Sequence, residues 1–427
     1  MRSTWKIPTL LLAGALSIAG VAGCGDDKKD EATSGGGGGS TDASGVKTGP
    51  GITDDSITLG VMTDLTGPFK DFSTTLQAGH KIWVDEVNAA GGICGRQIKL
   101  ETLDHGYKAE TATIQFPDME PKVAGFLELL GSPIIAALKT DIADKKVTTM
   151  AVSWSSELLD QQYVIIVGTT YDLEQINGLD YLMEKGLLKK GDKIGHIYID
   201  GEYGGNGLAG SKYFAEKNGM TIEEAKIQST DTDMKSIITK FKGDKVKAIS
   251  LTTSPAQTAS AATNNAALGL NVPMVGNGPT FAPALLATPA AAALEKLYVV
   301  DSAVPYDSPL PKAKELAKAF EKANPDVKPS FTVQYGYAQG LIWQQILKKA
   351  CDSKDLSRDG INAALKASNN ITTDKLVSDL DFSKPGSPSS RDVYIGQVDK
   401  GTPGGLKQVQ ALKEFPDAKT YKAPHES

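Results

Sequence analysis

The sequence contains few cysteines and histidines and lacks the short motifs that mark common enzymes. Three of its 427 residues are cysteine and four are histidine. None of the patterns G-x-S-x-G, H-E-x-x-H and C-x-x-C occurs, so the chain lacks the signatures of a serine hydrolase, a zinc peptidase and a thioredoxin-like oxidoreductase. Isolated histidines are more often structural than catalytic, and these four are scattered: His80, His105, His196 and His425. The sequence therefore predicts no enzyme, no metal site and no cofactor.

The sequence also lacks an excess of positive charge. Its formal net charge is -6, and charged residues make up 22% of the chain. A protein that neutralises nucleic-acid phosphates needs a basic surface, so no nucleic-acid partner is predicted. Hydrophobic residues at 40% and aromatic residues at 7% are typical of a globular protein.

The N-terminal segment has the pattern of a bacterial lipoprotein signal. Arg2 and Lys6 precede an apolar run over residues 7–23, which ends in small residues directly before Cys24. The run contains a proline and three glycines and is shorter than the ~20 apolar residues of a membrane span, although an uncleaved anchor is the alternative. We expect a signal peptide over residues 1–23, lipid on Cys24, and a mature protein outside the cytoplasm, anchored to the outer face of the cell membrane.

A polar, glycine-rich segment follows the signal. It contains an acidic and lysine-rich run and then five consecutive glycines, residues 35–39. Such a composition cannot bury a core. The sequence predicts a flexible tether that extends, with the lipidated cysteine, over residues 24–52.

Two cysteines remain once Cys24 is assigned to lipid. They are Cys94 and Cys351, which lie far apart in the sequence. An even number of cysteines in an oxidising compartment favours a disulfide, and two free buried thiols are the alternative. We expect a disulfide between them.

Short β-rich runs alternate with amphipathic helical runs from residue 57 onward. This alternation indicates βαβ units and parallel sheets, and it restarts near residue 193, which predicts two doubly wound lobes. The helical segments 311–323 and 333–350 have few predicted strands between them. We therefore expect them to complete a lobe that begins earlier in the chain. Residues 393–398 are predicted to form one late strand. The expected fold is α/β, with two parallel-sheet lobes joined by hinge crossings. The expected lobes are: lobe 1, residues 53–170 and 303–393; lobe 2, residues 171–302 and 394–427.

Loops rich in small, hydroxylic and aromatic residues follow several predicted strands. They are residues 64–68, 131–133, 153–155 and 203–204. In open α/β sheets the carboxyl ends of strands meet helix N-termini, and ligands bind there. Residues 205–210 match G-x-G-x-x-G, the pattern of a dinucleotide site, but an exported protein has no NAD pool and a glycine-rich helix start explains the pattern.

Four segments together resemble the branched-chain amino acid type of solute-binding protein, which has the type I periplasmic fold and feeds ABC importers. Residues 57–60 leading into 64–68 are similar to the family's first strand and loop, and residues 87–96 resemble its N-x-x-GG-I-x-G segment. Residues 203–207 resemble its YG-x-G loop, and residues 335–337 its Y-x-Y helix start. The resemblance covers residues 53 to about 400.

The resemblance implies the positions of a ligand site. Ser132, Ser153 and Ser155 stand where family members hold a ligand carboxylate with hydroxyl groups, although each serine also suits a helix N-cap. Tyr203 is expected to close over the ligand from the second lobe, and the further candidates are: Leu65, Phe69, Trp154, Asp172 and Asn277. Trp154 is bulkier than the family's usual residue there.

Asn277 offers an amide where amino-acid binders have a carboxylate for the ligand ammonium group, and Asp172 or Glu174 could supply that charge. An apolar or aromatic carboxylate or an amide is therefore an alternative to an amino acid. The expected protein is a monomeric importer component that delivers a small solute to ABC permease subunits. A sensor domain of the same fold is the first alternative, and an exported enzyme is the second.

Overall fold

The computed structural model describes residues 41–42 and 45–427. The predicted signal peptide, Cys24 and most of the predicted tether lie outside the described residues. Within those residues, twelve strands and twelve α-helices follow one another. The strands are β1 (Ser56–Thr63), β2 (Gln97–Asp104), β3 (Gly125–Leu130), β4 (Thr149–Val152), β5 (Val164–Ile166), β6 (Lys193–Ile199), β7 (Thr221–Ile227), β8 (Ala248–Thr252), β9 (Met274–Asn277), β10 (Leu297–Asp301), β11 (Val393–Val398) and β12 (Leu406–Lys413). The helices are α1 (Lys70–Ala89), α2 (Ala109–Met119), α3 (Ser132–Asp144), α4 (Tyr171–Glu184), α5 (Glu202–Lys217), α6 (Lys235–Asp244), α7 (Pro255–Ala267), α8 (Ala291–Leu294), α9 (Pro311–Ala323), α10 (Thr332–Asp352), α11 (Arg358–Lys366) and α12 (Pro416–Thr420).

The strands form two sheets, one in each lobe. The first has the order β2-β1-β3-β4-β5, and all its pairs are parallel. The second has the order β12-β11-β10-β9-β8-β6-β7, in which β6 to β10 are parallel. This is the predicted α/β fold with two parallel-sheet lobes.

The edge formed by β11 and β12 differs from the prediction. Both strands run antiparallel to their neighbours, and β12 is a strand that the sequence did not predict. A short connection, residues 399–405, joins β11 to β12, and only antiparallel strands can be joined so closely. Most side chains of β12 are only half-buried, which explains its weak apolar pattern.

Helices α9 to α11 lie in sequence between β10 and β11 of the second sheet, but α9 and α10 pack with α1, beside the first sheet, and α11 packs against α10. Helices α1 and α10 approach closely because each has a glycine at the contact. A Cβ atom on Gly79 would lie 2.2 Å from the carbonyl oxygen of Val333, and one on Gly336 would lie 2.1 Å from that of Leu76. We propose that the lobe limits follow the predicted ones, apart from the N-terminal end of lobe 1.

Residues 45–52 pack on the first lobe, which shortens the predicted tether. Val46 is buried, the Lys47 N–H donates to the carbonyl of Lys354 (3.0 Å), and the Leu356 N–H donates to the carbonyl of Lys47 (2.7 Å). Arg96 forms a buried ion pair with Asp42. Any tether therefore ends before residue 45. Residues 45–52 are part of the folded lobe.

The structure joins Cys94 and Cys351 in a disulfide, with their Cα atoms 6.5 Å apart. Cys94 lies in the connection between α1 and β2, and Cys351 lies in the last turn of α10. The bond ties two segments of lobe 1 that are 257 residues apart in the sequence. Within residues 41–42 and 45–427, no helix has the length and apolarity needed to cross a membrane.

Three chain segments cross between the lobes and bind one another at the hinge. The Gly168 N–H donates to the Ser389 hydroxyl and the Thr169 N–H to the Ser302 hydroxyl, both at 2.9 Å. Ser389 in turn donates to the carbonyl of Ile166 (2.7 Å). Gly168 has a positive φ of 91°, and a Cβ atom there would lie 2.1 Å from the Ser302 hydroxyl oxygen. Only glycine suits this crossing.

The G-x-G-x-x-G pattern lies inside α5 rather than at its start. A Cβ atom on Gly207 would lie 2.2 Å from a Thr252 methyl group, and one on Gly210 would lie 2.1 Å from the carbonyl oxygen of Asp172. These glycines let α5 pack closely against α4 and β8. The pattern therefore reflects helix packing and not a phosphate-binding turn.

Candidate functional site

A narrow pocket lies between the two lobes, with about 20 Å³ open to the centres of water-sized molecules. Six of its eleven lining side chains are aromatic: Phe69, Phe72, Tyr107, Trp154, Tyr171 and Tyr203. The others are small or aliphatic: Leu130, Gly131, Ser132, Val152 and Pro279. None of these described lining residues carries a charge. An apolar pocket with a few hydroxyl groups is the kind of cavity that small-molecule sites use.

The pocket lies where the parallel strands end. Phe69 and Phe72 follow β1, Tyr107 follows β2, Ser132 starts α3 directly after β3, and Trp154 follows β4. The second lobe contributes the residues that begin α4 and α5, and a loop residue that follows β9: Tyr171, Tyr203 and Pro279. A ligand in this space therefore contacts both lobes at once.

Hydroxyl groups gather at one end of the pocket. The hydroxyls of Ser132 and Ser153 are 2.7 Å apart, and the Tyr171 phenol lies beside Ser132. The phenols of Tyr107, Tyr171 and Tyr203 are close enough to influence one another's ionisation. Burial raises the pKa of all three phenols above its usual value, so they stay protonated at neutral pH. This end offers O–H donors without a positive charge.

Carbon surface lines the rest of the pocket. The Trp154 indole N–H donates to the Tyr335 phenol (2.9 Å) and to the carbonyl of Val167 (3.2 Å), so the indole presents apolar atoms to the space. Its ring meets that of Tyr171 edge to face at 5.7 Å and lies 6.4 Å from that of Phe72. These contacts fix the rings that a ligand would touch.

Asn277 lies behind Tyr203 and not on the pocket wall. The Tyr203 hydroxyl is 2.7 Å from the Asn277 Oδ1 atom and 3.2 Å from the carbonyl of Thr253. Within the described residues, the Asn277 Nδ2 atom is buried without a hydrogen-bond partner. Asn277 therefore positions Tyr203, and the structure does not bring it to the ligand space.

Asp172 is fully buried and serves as an acceptor for its neighbours. It accepts hydrogen bonds from the hydroxyls of Ser156 (2.7 Å) and Tyr421 (3.0 Å), from the Asn206 side chain (3.2 Å) and from the Thr170 hydroxyl. Burial raises the pKa of this carboxyl. With these donors around it, Asp172 does not reach the pocket.

Glu174 is also buried away from the lining, and its Oε2 atom has no partner among the described residues. Burial, and then the charge of Asp301, raise the pKa of Glu174 well above its usual value. Burial of this kind favours the uncharged form of a carboxyl. Neither carboxyl that the sequence offered as a partner for a ligand ammonium group supplies that charge in the pocket.

The other predicted ligand-binding residues lie on the pocket wall, at its rim or behind the wall. Ser132, Trp154, Tyr203 and Phe69 line the pocket. Ser153 supports Ser132 from behind, and Ser155 caps the 3₁₀ turn Ser156–Leu158 through the Glu157 N–H at 3.4 Å. Leu65 is 38% exposed and is not among the lining residues.

Sequence reasoning missed Phe72, Tyr107, Tyr171, Leu130, Val152 and Pro279. Two signals could have found some of them. Phe72 lies one helical turn after Phe69, and Tyr171 begins a helix just as the predicted Tyr203 nearly does. Tyr107 follows an ordinary polar loop, so nothing in its local sequence points to a ligand.

The comparisons with known proteins agree with this geometry. Residues 56–403 match the family model described as periplasmic binding protein. A fatty acid ABC transporter substrate-binding protein from Thermomonospora curvata is 38% identical, with a TM-score of 0.88 over 90% of this chain and 99% of that chain.

Two solved structures with less similar sequences share the fold. A branched-chain amino acid ABC transporter protein from Thermus thermophilus, with bound valine, is 18% identical, with a TM-score of 0.76 over 86% of this chain and 99% of that chain. A solute-binding protein from Rhodopseudomonas palustris BisB5, with bound 3,4-dihydroxybenzoic acid, is 18% identical, with a TM-score of 0.71 over 88% of this chain and 100% of that chain. These two likenesses concern the fold alone.

Proposed function

This chain belongs to the periplasmic binding protein family, and from that membership we propose that it is the extracytoplasmic solute-binding component of an ABC importer, with an apolar monocarboxylate of the fatty-acid class as its cargo. One observation supports this class of ligand. The interlobe pocket has hydroxyl donors at one end, carbon surface elsewhere, and no charged side chain among its described lining residues.

The pocket favours a ligand that has a carboxylate and lacks an amino group. Ser132 and the protonated phenols beside it can donate hydrogen bonds to an anion, and hydrogen bonds to charged groups are the stronger kind. An α-amino acid also brings an ammonium group, which is costly to bury without a counter-charge. Asp172 and Glu174 lie outside the lining and have raised pKa values, so they leave such a group unpaired.

The apolar body of the ligand supplies most of the binding energy in this proposal. Burial of each CH₂ group contributes about 0.8 kcal/mol, which corresponds to about fourfold in affinity. The lining rings of Phe72 and Trp154 provide surface for that burial. The printed name of the Thermomonospora curvata relative, which is 38% identical, supports a fatty acid over an amino acid.

Binding in this pocket closes the lobes. The ligand carboxylate lies against Ser132 of lobe 1 and Tyr171 of lobe 2, so the ligand binds the closed state better than the open state. A ligand with this difference in affinity shifts the population toward the closed form, which is the form that a permease can recognise.

Calorimetry with three matched compounds tests the ligand class. Octanoate keeps the carboxylate and the chain, 1-octanol keeps only the chain, and leucine adds an ammonium group. We expect octanoate to bind at least tenfold more tightly than either of the others, with benzoate as a test of a short aromatic acid. Tighter binding of leucine than of octanoate would refute the proposed class.

The predicted export and anchoring complete the proposal. We propose that residues 1–23 are removed, that Cys24 carries the lipid, and that the protein works as a monomer beside ABC permease subunits. Mass spectrometry of the protein from its native membrane should show a diacylated Cys24, and Cys24→Ala should release the protein from the membrane fraction. Loss of octanoate uptake on gene deletion distinguishes import from sensing.

A further inference from the structure

Tyr107 lines the interlobe pocket from the loop after β2, and its backbone has an unusual conformation. Its φ angle is 59°, in the left-handed region. Residues with bulky side chains rarely adopt this region, because their Cβ atom then approaches the following carbonyl oxygen. Strain of this kind persists only where the surrounding structure holds it, and it is concentrated at ligand sites. A local turn preference therefore does not explain why a tyrosine occupies this position.

Hydrogen bonds from neighbouring residues hold the turn in place. The Tyr107 N–H donates to the His105 Nδ1 atom (3.0 Å), and the Gly106 N–H donates to the Asp104 Oδ1 atom (2.9 Å). The same Asp104 oxygen accepts a hydrogen bond from the Leu65 N–H (2.9 Å), in the loop after β1. The turn is thus fixed to a second loop of lobe 1, so the left-handed conformation of Tyr107 is supported from both sides.

Packing holds the Tyr107 ring at the hydroxyl end of the pocket. Its ring centre is 4.7 Å from that of Phe69. A Cβ atom on Gly131 would lie 2.9 Å from the Tyr107 ring, so the ring lies directly against the residue before Ser132. The phenol is also close enough to Tyr171 to influence its ionisation. The strained turn therefore directs a hydroxyl group toward the place proposed for the ligand carboxylate.

The three lining phenols differ in where their protons can go. The Tyr203 hydroxyl donates to the Asn277 Oδ1 atom (2.7 Å), and the Tyr171 hydroxyl has Ser132 beside it. Within the described residues, no group accepts a hydrogen bond from the Tyr107 hydroxyl. Buried polar groups in folded proteins are almost always hydrogen-bonded. An acceptor on the ligand would satisfy this hydroxyl.

We infer that Tyr107 is a specificity-determining residue, whose hydroxyl donates a hydrogen bond to the ligand carboxylate and thereby selects acids over neutral ligands with the same chain. This inference rests on the proposed function. Asp104 and His105 are the positioning residues that hold Tyr107 in its strained turn. Tyr203, whose proton is engaged by Asn277, contributes ring surface and no donor to the carboxylate.

Calorimetry of Tyr107→Phe with octanoate and 1-octanol tests the inference. The substitution removes the hydroxyl and keeps the ring that packs on Phe69. We expect octanoate affinity to fall roughly 10-fold to 100-fold and 1-octanol affinity to fall much less, because a hydrogen bond to a charged group is the stronger kind. Equal losses for the two ligands, or an octanoate affinity within about twofold of the unaltered protein, would overturn the inference.

Tyr181→Phe is the matched control for the loss of a phenol hydroxyl. Tyr181 is a buried tyrosine of α4 whose ring packs on those of Tyr298 and Phe415 in lobe 2, and it does not line the pocket. Both affinities should be the same in this variant as in the unaltered protein. If octanoate does not bind the unaltered protein at all, the proposed function fails, and this outcome is distinct from a failure of the inference.

Two substitutions of His105 test the positioning role. Alanine removes the acceptor of the Tyr107 N–H, whereas the Oδ1 atom of asparagine can accept a hydrogen bond from the N–H two residues later. We expect His105→Ala to lose octanoate affinity severalfold and His105→Asn to keep most of it. His105→Ala should cause no further loss in a protein that already carries Tyr107→Phe. Equal losses in the alanine and asparagine variants would exclude His105 from the positioning role.

A crystal structure of the octanoate complex locates the carboxylate directly. The inference predicts a carboxylate oxygen within about 3.0 Å of the Tyr107 hydroxyl oxygen, the usual distance for this kind of hydrogen bond. A carboxylate bound elsewhere in the pocket, with Tyr107 in contact only with water or carbon, would overturn the inference and leave the proposed function intact.

Discussion

Ser132 and Ser155 are buried serines from two neighbouring loops, and the structure gives them different roles. Ser132 lines the pocket beside the phenol of Tyr171, whereas Ser155 caps a 3₁₀ turn. The family resemblance implies that both bind a ligand carboxylate, and both follow a strand and precede a helical turn. Their difference at the residue scale arises from which hydroxyl faces the gap between the lobes.

We expect Ser132→Ala to weaken octanoate binding by roughly 10-fold to 100-fold, because a hydrogen bond to a charged group is worth ~1.5–3 kcal/mol. Ser155→Ala should leave octanoate affinity within about twofold, while lowering stability by ~1 kcal/mol through the lost cap. Calorimetry and urea unfolding measure the two effects. Equal losses of affinity in both variants would contradict the assignment.

His80 and Glu128 form a buried pair in the core of lobe 1. The His80 Nδ1 atom is 3.6 Å from a Glu128 carboxyl oxygen, and both side chains are inaccessible to solvent. Burial lowers the pKa of His80 to about 4 and raises the pKa of Glu128 to about 8. The pair is therefore neutral at pH 7, and the 3.6 Å contact is not an ion pair.

This pair predicts a decline in stability with rising pH. Folded Glu128 holds its proton up to about pH 8, whereas the unfolded side chain loses it near 4.5, so the folded state binds more protons between these values. His80 has the opposite effect, but only between about pH 4 and 6.5. From pH 6.5 to 8, Glu128 should lower the free energy of unfolding by at most about 1.4 kcal/mol per pH unit.

Urea unfolding of Glu128→Gln and of the unaltered protein at pH 6.5, 7.5 and 8.5 measures the contribution of Glu128 to the pH dependence of the free energy of unfolding. Asp301 and other buried carboxyls titrate in both proteins, so the difference between the two slopes isolates Glu128. We expect a shallower decline in the variant. Parallel slopes would show that Glu128 is ionised in the folded state.

At the scale of elements, the disulfide joins the end of α10 to the connection between α1 and β2. The same helix end receives residues 45–52 through the backbone pairing of Lys47 with Lys354 and Leu356. This region of lobe 1 thus joins residues 45–52, the connection before β2 and the end of α10. Neither cysteine lines the pocket.

Replacement of both cysteines by alanine should lower the free energy of unfolding by ~2–5 kcal/mol, because the bond restricts a long loop of the unfolded chain. Octanoate affinity should not change by more than about twofold, since the pocket is built from other elements. Thermal unfolding with and without reductant provides the measurement, and the double variant should no longer respond to reductant. If the binding free energy of octanoate changed more than the free energy of unfolding, the disulfide would contribute to binding directly.

Most elements could be predicted from the sequence, and those that were missed share a reason. The predicted bounds of α9, residues 311–323, and of β11, residues 393–398, equal the observed ones, because their apolar periodicity is strong. Strands β5 and β9 have only three and four residues, and β12 is half-buried. Short strands carry too few residues to show a period.

For the whole molecule, a polar cluster joins the lobes next to the pocket. The Asn206 side chain on α5 bonds to Ser156 of lobe 1, with its Nδ2 atom 2.6 Å from the Ser156 hydroxyl, and to Asp172 of lobe 2 at 3.2 Å. Asn206 also accepts a hydrogen bond from the Ser156 N–H (3.2 Å). The cluster stabilises the closed arrangement without touching the ligand space.

Asn206→Ala should weaken octanoate binding roughly fivefold or more, since ~1–3 kcal/mol of buried hydrogen bonding favours closure and the apparent affinity follows the closed fraction. Asn218→Ala is the matched control, because Asn218 is buried and bonds to Phe214 and Asp417 inside lobe 2. Small-angle scattering of the ligand-free Asn206 variant should show a larger radius of gyration. The same affinity in both variants would exclude a role in closure.

The sequence by itself determined the two α/β lobes and the strand ends that bear the pocket, because alternating local periodicities specify βαβ units. It also identified Ser132, Trp154 and Tyr203, which lie within four residues after the ends of β3, β4 and β6. Only the tertiary structure decided which side chains meet across the lobes. Phe72 and Phe331 are distant in the sequence yet in contact, and Asp172 is held by interlobe hydrogen bonds rather than presented to a ligand. These contacts depend on how the two lobes pack against each other, and a local sequence pattern does not predict that packing.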